Sequence, residues 1–398
     1  MCRRYTVSRD VLLLGAVRTP NGRYGGSLRD TSVVELATLA ARESVARAGI
    51  GPELVEEVVL ANCRQAGNGP NPGRQVALRA GFPERAPSQT INMACASGLK
   101  AVQLAWQSIT SGEADIAVAV AAESMSTMPY LAPGALRWGG VRRGDIVLAD
   151  GWRDGGTDPV CGLNMGQTAE NIATRYGISR ADQDAWALRC HQRVAAAWEH
   201  GYFAGQVVDV PLADGDVLDC DEGFRTDTTA ERLARLKPSF ADGGTVTAGN
   251  ASQMADGAAA VVLASADAVA AHGLVPQGRL RSFSAVGVDP TVMGIGPTAA
   301  IPRALDRAGL STSDLDLVEI NEAFAAQIVQ NTRELKLDED RVNVNGGGIA
   351  LGHPTGQSGC RLVVALLHEL ARRDAALGVA SLCVGGGQGV AAVIERVA

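Results

Sequence analysis

The stretch RAGLSTSDLDLVEINEAF, residues 307–324, repeats the pattern of an earlier stretch, RAGIGPELVEEVVLANC, residues 47–63. Each has the end of a helix, an Ala-Gly pair, an acidic linker, a short apolar run and then an asparagine. A second matching pair follows, with TINMACASGLKAV (90–102) beside RVNVNGGGIALGHPTGQSGCRLVVALL (341–367). Short helix and strand pieces often match by chance, so the two pairs indicate two similar α/β halves without establishing them.

Apolar runs and helical stretches alternate along the chain, which is typical of an α/β protein. The predicted strands cover 11–17, 58–61, 116–121 and 258–264, and the predicted helices include 32–48 and 99–109. We expect a buried, largely parallel sheet. Residues 126–253 differ in composition from the rest of the chain, because they hold all but one of the tryptophans and a helical stretch at 167–200. This segment is predicted to be an insert that caps one face of the core.

The composition favours a globular protein that acts on small molecules. The 398 residues are 46% hydrophobic and 20% charged, with a net charge of -7. No block of Lys and Arg suggests a nucleic-acid surface. The eight cysteines, including Cys2, form no C-x-x-C pair, so neither a zinc site nor a disulfide framework is expected. Apolar runs are too short for a signal peptide or a membrane span, and we expect a cytoplasmic protein with reduced thiols.

Cys95 stands between a predicted strand, 89–92, and a predicted helix, 100–109. A thiol at such a turn faces unpaired backbone N–H groups and the positive end of the helix dipole, which favours thiolate over thiol. Small residues on both sides would let a substrate approach closely. Cys95 is therefore a candidate nucleophile. On position alone, a buried small residue without a chemical role is an equal alternative.

Three more candidates follow predicted strands. Asn321, in EINEAFAAQ (319–327), could bind a carbonyl oxygen or fix a water, although a helix cap is the commoner role. His353 is held between glycine and proline in a rigid turn, although a lone histidine is more often structural. Its glycine-rich surroundings fail the dinucleotide spacing G-x-G-x-x-G. Cys383 precedes a glycine run whose amides could hold an oxyanion, with packing as the alternative.

Functional sites of parallel α/β sheets form at strand ends, so we expect these four residues to meet. Two cysteines, one histidine and one asparagine are a coherent set for acyl transfer. One thiolate can attack a thioester carbonyl, the imidazole can assist its deprotonation, and the second thiol can move a proton to or from carbon.

The motifs NMACASGLKAV, NEAFA, GGGIALGHPTGQSG and CVGGGQGVA resemble the signature blocks of the thiolases, the acetyl-CoA C-acyltransferases. The resemblance runs from about residue 11 to the end, in the order of the family. It implies an α/β fold of two duplicated halves with mixed five-stranded sheets, layered α/β/α/β/α, plus an inserted loop domain. The expected division is an N-terminal half at 1–125 with 254–278, a coenzyme A-binding insert at 126–253 and a C-terminal half at 279–398.

The same resemblance implies the roles of individual residues. Cys95 would be the nucleophile that becomes acylated, His353 the base that activates it, and Cys383 the acid and base that act on the acetyl methyl group. Asn321, through a water, and Nε2 of His353 would hold the thioester oxygen, while the amides of Cys95 and Gly385 would form a second oxyanion hole. The residues expected to contact CoA or the acyl chain are Met165, Arg225, Ala248, Ser252, Met293, Ala323 and Phe324.

The implied reaction is a ping-pong cycle through an acyl-cysteine. It cleaves 3-ketoacyl-CoA with CoA to acetyl-CoA and a shortened acyl-CoA, or condenses two acetyl-CoA molecules in reverse. Coenzyme A and acetyl-CoA are substrates, and neither a metal nor a permanently bound cofactor is expected. We expect a homodimer or homotetramer with acyl-CoA substrates as partners and no nucleic-acid or membrane partner.

Some positions depart from the family pattern. Members specialised for acetoacetyl-CoA usually have histidine before Met-Gly, where this chain has Asn164, so a short-chain preference is in doubt. Pro70 stands where glutamine is frequent, and Ala96 where glycine is common. Two rival readings are a decarboxylating or chain-elongating condensing enzyme of the same wider fold and an idle acyl-CoA-binding relative. Cys383 argues against the first reading, and the complete set of catalytic residues argues against the second.

Overall fold

A computed structural model describes residues 9–140, 142–152 and 156–397. Cys2 lies outside the described residues. The strands are β1 Val11–Arg18, β2 Gly22–Arg23, β3 Glu57–Ala61, β4 Ser88–Ile91, β5 Ile116–Ser124, β6 Tyr130–Leu131, β7 Ala149–Asp150, β8 Val210–Pro211, β9 Val217–Leu218, β10 Ala255–Ser265, β11 Gly278–Gly287, β12 Leu317–Ile320, β13 Leu377–Val384 and β14 Gln388–Arg396.

The helices carry the layers on both sides of these strands. They are α1 Val33–Arg47, α2 Pro72–Arg79, α3 Ser97–Ser111, α4 Met165–Tyr176, α5 Arg180–Glu199, α6 Ala230–Ala234, α7 Ala266–His272, α8 Gly296–Ala308, α9 Ala325–Glu334, α10 Gly348–Leu351 and α11 Ser358–Arg372. Short 3-10 turns cover Pro52–Leu54, Gly134–Trp138, Pro290–Ile295 and Thr312–Asp314.

Local sequence signals explain where several helices begin and end. Ser32 and Glu35 form a capping box that starts α1, which confirms the helix predicted at 32–48. The helical stretch predicted at 167–200 is two helices. Gly177 ends α4 with a left-handed φ of 65°, and Ser179 starts α5 with a capping box of its own.

The main sheet is mixed, so the expectation of a largely parallel sheet is wrong. Its strand order is β4-β3-β5-β10-β1-β11-β14-β13-β12. Pairs are parallel only towards the two ends, where β3 pairs with β4 and β5, and β12 pairs with β13. The central pairs are antiparallel. The physical reason is the connections, because β13 turns back into β14 within a few residues and a parallel pair would need a long crossover.

The strand order repeats about the junction of β1 and β11. On one side the order runs β1, β10, β5, β3, and on the other β11, β14, β13, β12. The two echoed stretches form equivalent pieces, each with a helix end, a 3-10 turn and a strand, β3 or β12. The first half adds β4 at its edge, whereas the second has only a parallel bridge between Val318 and Val342 at that place. The duplication of the α/β halves is therefore a property of the fold.

The halves stack in five layers around two central helices. The helices α3 and α11 pack on each other and share one buried apolar cluster with residues of both sheet halves. The helices α1 and α2 cover the outer face of the first half, and α8 and α9 lie in the cluster on the outer side of the second. Every residue of β5 and β10 is buried, as expected for strands covered on both faces.

The segment between β5 and β10 holds the small two-residue strand pairs and the helices α4, α5 and α6. The helices α4 and α5 pack against α9 of the second half. The division at 125/126, 253/254 and 278/279 stays a prediction. Among the described helices, none has both the length and the apolar character that crossing a membrane requires.

Candidate active site

The four predicted catalytic residues come from four different elements of the fold. Cys95 precedes α3, Asn321 follows β12, His353 lies in the turn between α10 and α11, and Cys383 belongs to β13. Nδ2 of Asn321 lies 3.3 Å from Nε2 of His353. The backbone of Gly385 is close enough to the sulfur of Cys95 to lower the pKa of that thiol, and Cys95 in turn raises the pKa of Cys383. The structure thus brings together residues that are far apart in the chain.

Two glycines allow the N-terminal ends of the central helices to meet. A Cβ atom on Gly98 of α3 would lie 2.6 Å from the backbone nitrogen of Cys360 in α11. A Cβ on Gly359 would lie 2.3 Å from the backbone nitrogen of Leu99. Such distances leave no room for a side chain at either place. The segments that carry Cys95 and His353 are therefore held in backbone contact.

A strained turn presents Cys95. Ala94, just before it, has a left-handed φ of 46°, a conformation that favours glycine. The hydroxyl of Ser97 accepts a hydrogen bond from the N–H of Met93 at 2.8 Å and donates to the carbonyl of Ala94 at 2.7 Å. Strain of this kind is held by such surrounding bonds and is common at functional sites.

The position of Cys95 before a helix does not lower its pKa as the sequence led us to expect. Burial raises the pKa of the Cys95 thiol above its ordinary value. The hydrogen bond from Gly385, the positive charge of Arg64 and the backbone of Cys95 itself oppose this rise. Because burial prevails, the resting sulfur is a thiol and requires a base to become a nucleophile.

His353 is a buried neutral imidazole, and its hydrogen bonds indicate which ring nitrogen carries the proton. Burial, followed by the charges of Arg361 and Arg64, lowers its pKa to about 3. Its Nδ1 lies 2.6 Å from the hydroxyl of Ser358, which in turn donates to the carbonyl of Pro354 at 2.9 Å. With that hydroxyl proton committed, Nδ1 is the donor and Nε2 carries the lone pair. At 3.3 Å the contact of Nε2 with Asn321 is long, so this lone pair remains available to a proton.

Asn321 is fully buried and is not a helix cap. Its N–H donates to the carbonyl of Ser381 at 2.9 Å, which joins the end of β12 to β13 two residues before Cys383. Its Oδ1 is buried and has no hydrogen-bond partner within the described ranges. A buried amide with an unused acceptor beside His353 is suited to a polar group of a substrate or to a water.

Sequence reasoning missed Glu322, the residue that holds the turn around Asn321. Its carboxylate accepts from Nε1 of Trp186 at 3.0 Å, from Nδ2 of Asn343 at 2.8 Å and from the N–H of Ile349 at 3.3 Å. The thiol of Cys190 also donates to it at 2.9 Å. Glu322 therefore ties the insert helix α5 to the glycine-rich loop that leads to His353. The sequence signal that could have identified Glu322 is an acidic residue directly after an asparagine at the end of an apolar run.

Glu123, at the end of β5, was missed as well. Its Oε1 accepts from Nδ2 of Asn62 at 2.7 Å and from the N–H of Arg64 at 3.1 Å. Its Oε2 accepts from the hydroxyl of Thr355 and the N–H of Gly356, both at 2.8 Å. The side chain of Glu123 is fully buried. Through these hydrogen bonds, Glu123 connects the turn after His353, in the second half, to the loop after β3, in the first half.

Cys383 is 1% exposed, and its thiol is protonated at rest. Burial raises its pKa far above the ordinary value, and the neighbouring Cys95 raises it further. Gly386 and Gly387, with φ of 86° and 78°, form the tight turn between β13 and β14 after it. Within the described ranges, no group of His, Cys, Asp or Glu side chains is placed to hold a metal ion.

Four of the seven predicted substrate-binding residues belong to, or pack against, the apolar cluster that contains Cys383. Met293, Ala323 and Phe324 belong to the same buried apolar cluster as Cys383, and Met165 packs against that cluster. The sulfur of Met165 would lie 3.4 Å from a Cβ on Gly385, directly beside the site.

The remaining predicted binding residues lie on the insert side. The N–H of Ser252 donates to the carbonyl of Ala323 at 2.9 Å, which joins it to the apolar group. Arg225 and Ala248 are exposed. The N–H of Arg225 donates to Nδ1 of His191 at 3.1 Å, and its guanidinium is left to solvent. The structure does not bring these two exposed residues into contact with the catalytic group.

Asn164 has a structural role that its sequence position does not reveal. Its side chain accepts from the N–H of Gln167 at 2.9 Å, and Oε1 of Gln167 accepts from the N–H of Asn164 at 2.9 Å. This reciprocal pair is a capping box at the start of α4. The asparagine therefore stabilises the helix that begins with Met165.

Comparison with known proteins gives two family matches that together span nearly the whole chain. The family described as "Thiolase, N-terminal domain" matches residues 11–267. The family described as "Thiolase, C-terminal domain" matches residues 274–396.

Full-length relatives and solved structures agree with these matches. An acetyl-CoA acetyltransferase of Pseudomonas aeruginosa is 48% identical over 395 residues, which cover 98% of this chain and 100% of the relative. The crystal structure of human mitochondrial 3-ketoacyl-CoA thiolase has a TM-score of 0.96 at 42% identity, covering 99% of this chain and 100% of that one. The Bacillus anthracis acetyl-CoA acetyltransferase structure has a TM-score of 0.96 at 44% identity, covering 98% and 99%.

Proposed function

Because the chain belongs to the thiolase family and is an acyltransferase by that membership, we propose that it cleaves 3-ketoacyl-CoA with CoA, and runs the reverse condensation, through an acylated Cys95. The observation that supports the proposal is that Cys95 lies beside Gly385 and Cys383, at the start of a helix whose Gly98 is in backbone contact with the segment that follows His353. A structure of human mitochondrial 3-ketoacyl-CoA thiolase in complex with CoA, at 43% identity, supports CoA as the substrate.

The first step is attack by Cys95 on the 3-keto carbon. Nε2 of His353 takes the thiol proton as the carbon–sulfur bond forms, since neither the free thiolate nor the imidazolium is stable at rest. The N–H groups of Cys95 and Gly385 stabilise the negative charge on the carbonyl oxygen.

The carbon–carbon bond between C2 and C3 then breaks. The electron pair moves to C2, and the enolate oxygen of the leaving acetyl-CoA is held by protonated Nε2 of His353 and by Asn321 through a water. The thiol of Cys383 donates its proton to C2, which completes acetyl-CoA. The acyl group remains on Cys95.

The second half restores the enzyme. A CoA thiol gives its proton to the thiolate of Cys383 and attacks the acyl carbonyl. Cys95 leaves and recovers its proton from His353, so protons and electrons balance over the cycle. A raised pKa suits Cys383 to this role, because a weakly acidic thiol yields a thiolate basic enough to take a proton from CoA.

We also propose that the protein acts in the cytoplasm as a homodimer or homotetramer. Support for self-association comes from apolar side chains on the insert that remain exposed in the single chain. Trp138, Val147 and Val160 are 84%, 75% and 83% exposed. Exposed apolar groups of this size are typical of surfaces that a further subunit covers.

The test is CoA-dependent cleavage by the purified protein of acetoacetyl-CoA and of a longer 3-ketoacyl-CoA, followed by product analysis. Formation of acetyl-CoA and the shortened acyl-CoA is the expected result. Rapid loss of the four-carbon substrate would show that Asn164 does not bar short chains. Cleavage of the longer substrate alone would indicate a degradative acyltransferase, and cleavage of neither would overturn the proposal.

A further inference from the structure

An arginine that forms no ion pair with any described residue follows the strand next to the turn that presents the proposed nucleophile. Arg64 follows β3, and its N–H donates to Oε1 of Glu123 at 3.1 Å, which fixes its backbone. The strands β3 and β4 pair in parallel with Ala61 opposite Ile91, and Nδ2 of Asn92 donates to the carbonyl of Cys63 at 3.0 Å just beyond them. The chain at residue 64 therefore runs alongside the turn that presents Cys95.

Arg64 is half-buried, and its guanidinium makes few contacts among the described residues. Its Nε is buried and finds no hydrogen-bond partner in the part of the chain that the structure describes, and no ion pair of those residues involves it. The plane of the group lies near the ring of Trp152, with 5.8 Å between Cζ and the ring centroid. Glu123 acts on it electrostatically, but the oxygens of that carboxylate already accept from Asn62 and Thr355.

The positive charge of Arg64 affects the pKa values of two proposed catalytic groups. After burial and the hydrogen bond of Gly385, it is the next cause acting on the pKa of Cys95, which it lowers. It also lowers the pKa of His353, after burial and Arg361. Both effects place the guanidinium within electrostatic reach of the acyl-transfer centre.

An unpaired, partly buried cation is costly unless a ligand supplies the anion. By contrast, the buried Arg18 pairs with Asp221 at 2.7 Å and so meets its own requirement inside the protein. A guanidinium binds carboxylates with two parallel hydrogen bonds, which makes Arg64 suited to a carboxylate ligand.

The position of Arg64 indicates which part of the substrate carries that carboxylate. The thioester and the keto carbon must lie at Cys95 during the reaction, so the phosphates of CoA lie at the far end of the pantetheine arm. Arg225, on the insert, is the residue predicted for that end. The anion that reaches Arg64 therefore belongs to the acyl chain.

We propose that Arg64 selects 3-ketoacyl-CoA substrates whose acyl chain ends in a carboxylate. This inference rests on the proposed function and narrows its substrate class. The bond-making steps are unchanged, because the carboxylate only binds.

The experiment compares matched substrates on the purified full-length protein. Six- and eight-carbon 3-ketoacyl-CoA esters ending in a carboxylate are compared with esters of the same length ending in methyl, and the ratio of their kcat/KM values is measured. Wild type, Arg64→Leu, Arg64→Lys and Arg137→Leu are tested. Arg137 is an exposed arginine of the insert and serves as the control.

We expect the wild-type ratio to favour the carboxylate at one of these lengths by about tenfold to a hundredfold, the range for a hydrogen-bonded ion contact. Arg64→Leu should lower the ratio at least tenfold, Arg64→Lys should keep part of the preference, and Arg137→Leu should keep all of it. An effect on the reactivity of Cys95 alone would change both substrates equally and leave the ratio unchanged.

The outcomes separate this inference from the proposed function. If wild type cleaves methyl-ended substrates but shows no preference that depends on Arg64, the inference is wrong and the thiolase activity stands. If wild type cleaves neither series, the proposed function itself fails.

Discussion

Replacing Gly98 by alanine sets two opposing effects against each other, and the structure decides which prevails. Gly98 lies in the first turn of α3, where helix propensity alone would favour alanine by about 1 kcal/mol. The new Cβ, however, would lie 2.6 Å from the backbone nitrogen of Cys360 and 2.9 Å from the carbonyl oxygen of Gly356. Both are backbone atoms, so no side chain can rotate away.

The size of the effect follows from the shortfall in distance. Ordinary contact begins at 3.4 Å, so α11 must move away from α3 by several tenths of an ångström or more. Overpacking of this kind costs about 1–3 kcal/mol, which at the short distances to backbone atoms found here is expected to exceed the gain in propensity. The displaced segment is the one that carries His353, and a misplacement of about 1 Å can reduce kcat about a hundredfold.

The assay combines urea unfolding with steady-state thiolysis of a 3-ketoacyl-CoA. We expect Gly98→Ala to be less stable by up to about 2 kcal/mol and to lose far more kcat than that difference explains. Gly134→Ala is the matched control, because a Cβ there meets no atom within 4 Å. A Gly98→Ala protein with raised stability, or with the kcat of wild type, would refute the reasoning about the helix contact.

Three further predictions concern the catalytic group. Cys95→Ala should abolish thiolysis while leaving the unfolding transition unchanged, with Cys161→Ala as the control thiol, and retained turnover would contradict the assignment of the nucleophile. Glu123→Gln places an amide N–H₂ against buried hydrogen-bond donors, so we expect a stability loss of about 2–4 kcal/mol. The kcat should fall at a similar KM. An unchanged kcat would show that the turn after His353 does not depend on Glu123. The pKa of His353 is lowered from 6.5 to about 3, so the unfolded chain binds the proton more readily and stability is lost as the pH falls below 6.5. At pH 5 this loss amounts to about 2 kcal/mol of the free energy of unfolding. We therefore expect His353→Gln to lose about 2 kcal/mol less stability than wild type between pH 7 and pH 5. Equal losses in the two proteins would contradict this assignment of the His353 pKa.

Much of the fold could be predicted from local patterns. The strands around residues 11–17, 116–121 and 258–264 and the helix at 32–48 occur where apolar runs, capping residues and glycines indicate them. The direction of strand pairing could not be predicted in this way. An apolar run has the same sequence pattern whether its strand pairs with a parallel or an antiparallel neighbour. Only the path of the connections between the strands distinguishes the two arrangements.

The candidate site shows the same division. Cys95, Asn321, His353 and Cys383 were identifiable, because each is a reactive or polar residue in a segment that follows or ends an apolar run, and the structure shows that His353 lies between two helices and not at a strand end as predicted. Their supporting residues were not identifiable. Glu123 lies more than two hundred residues away from Thr355, to which it is hydrogen-bonded, and no local signal connects the two.

The sequence by itself determined the main apolar strands, the capped helices and the chemical types of the four candidate residues, and it indicated the repeated half, because each of these depends on residues close together in the chain. The tertiary structure alone decided that Cys95 rests as a thiol, that His353 is neutral with its lone pair on Nε2, and that Arg64 lies within electrostatic reach of Cys95 with an Nε that has no hydrogen-bond partner in the described residues. These properties depend on burial and on charges brought together from distant segments. Ionisation is set by the surroundings in space, and those surroundings exist only once the two halves have packed against each other.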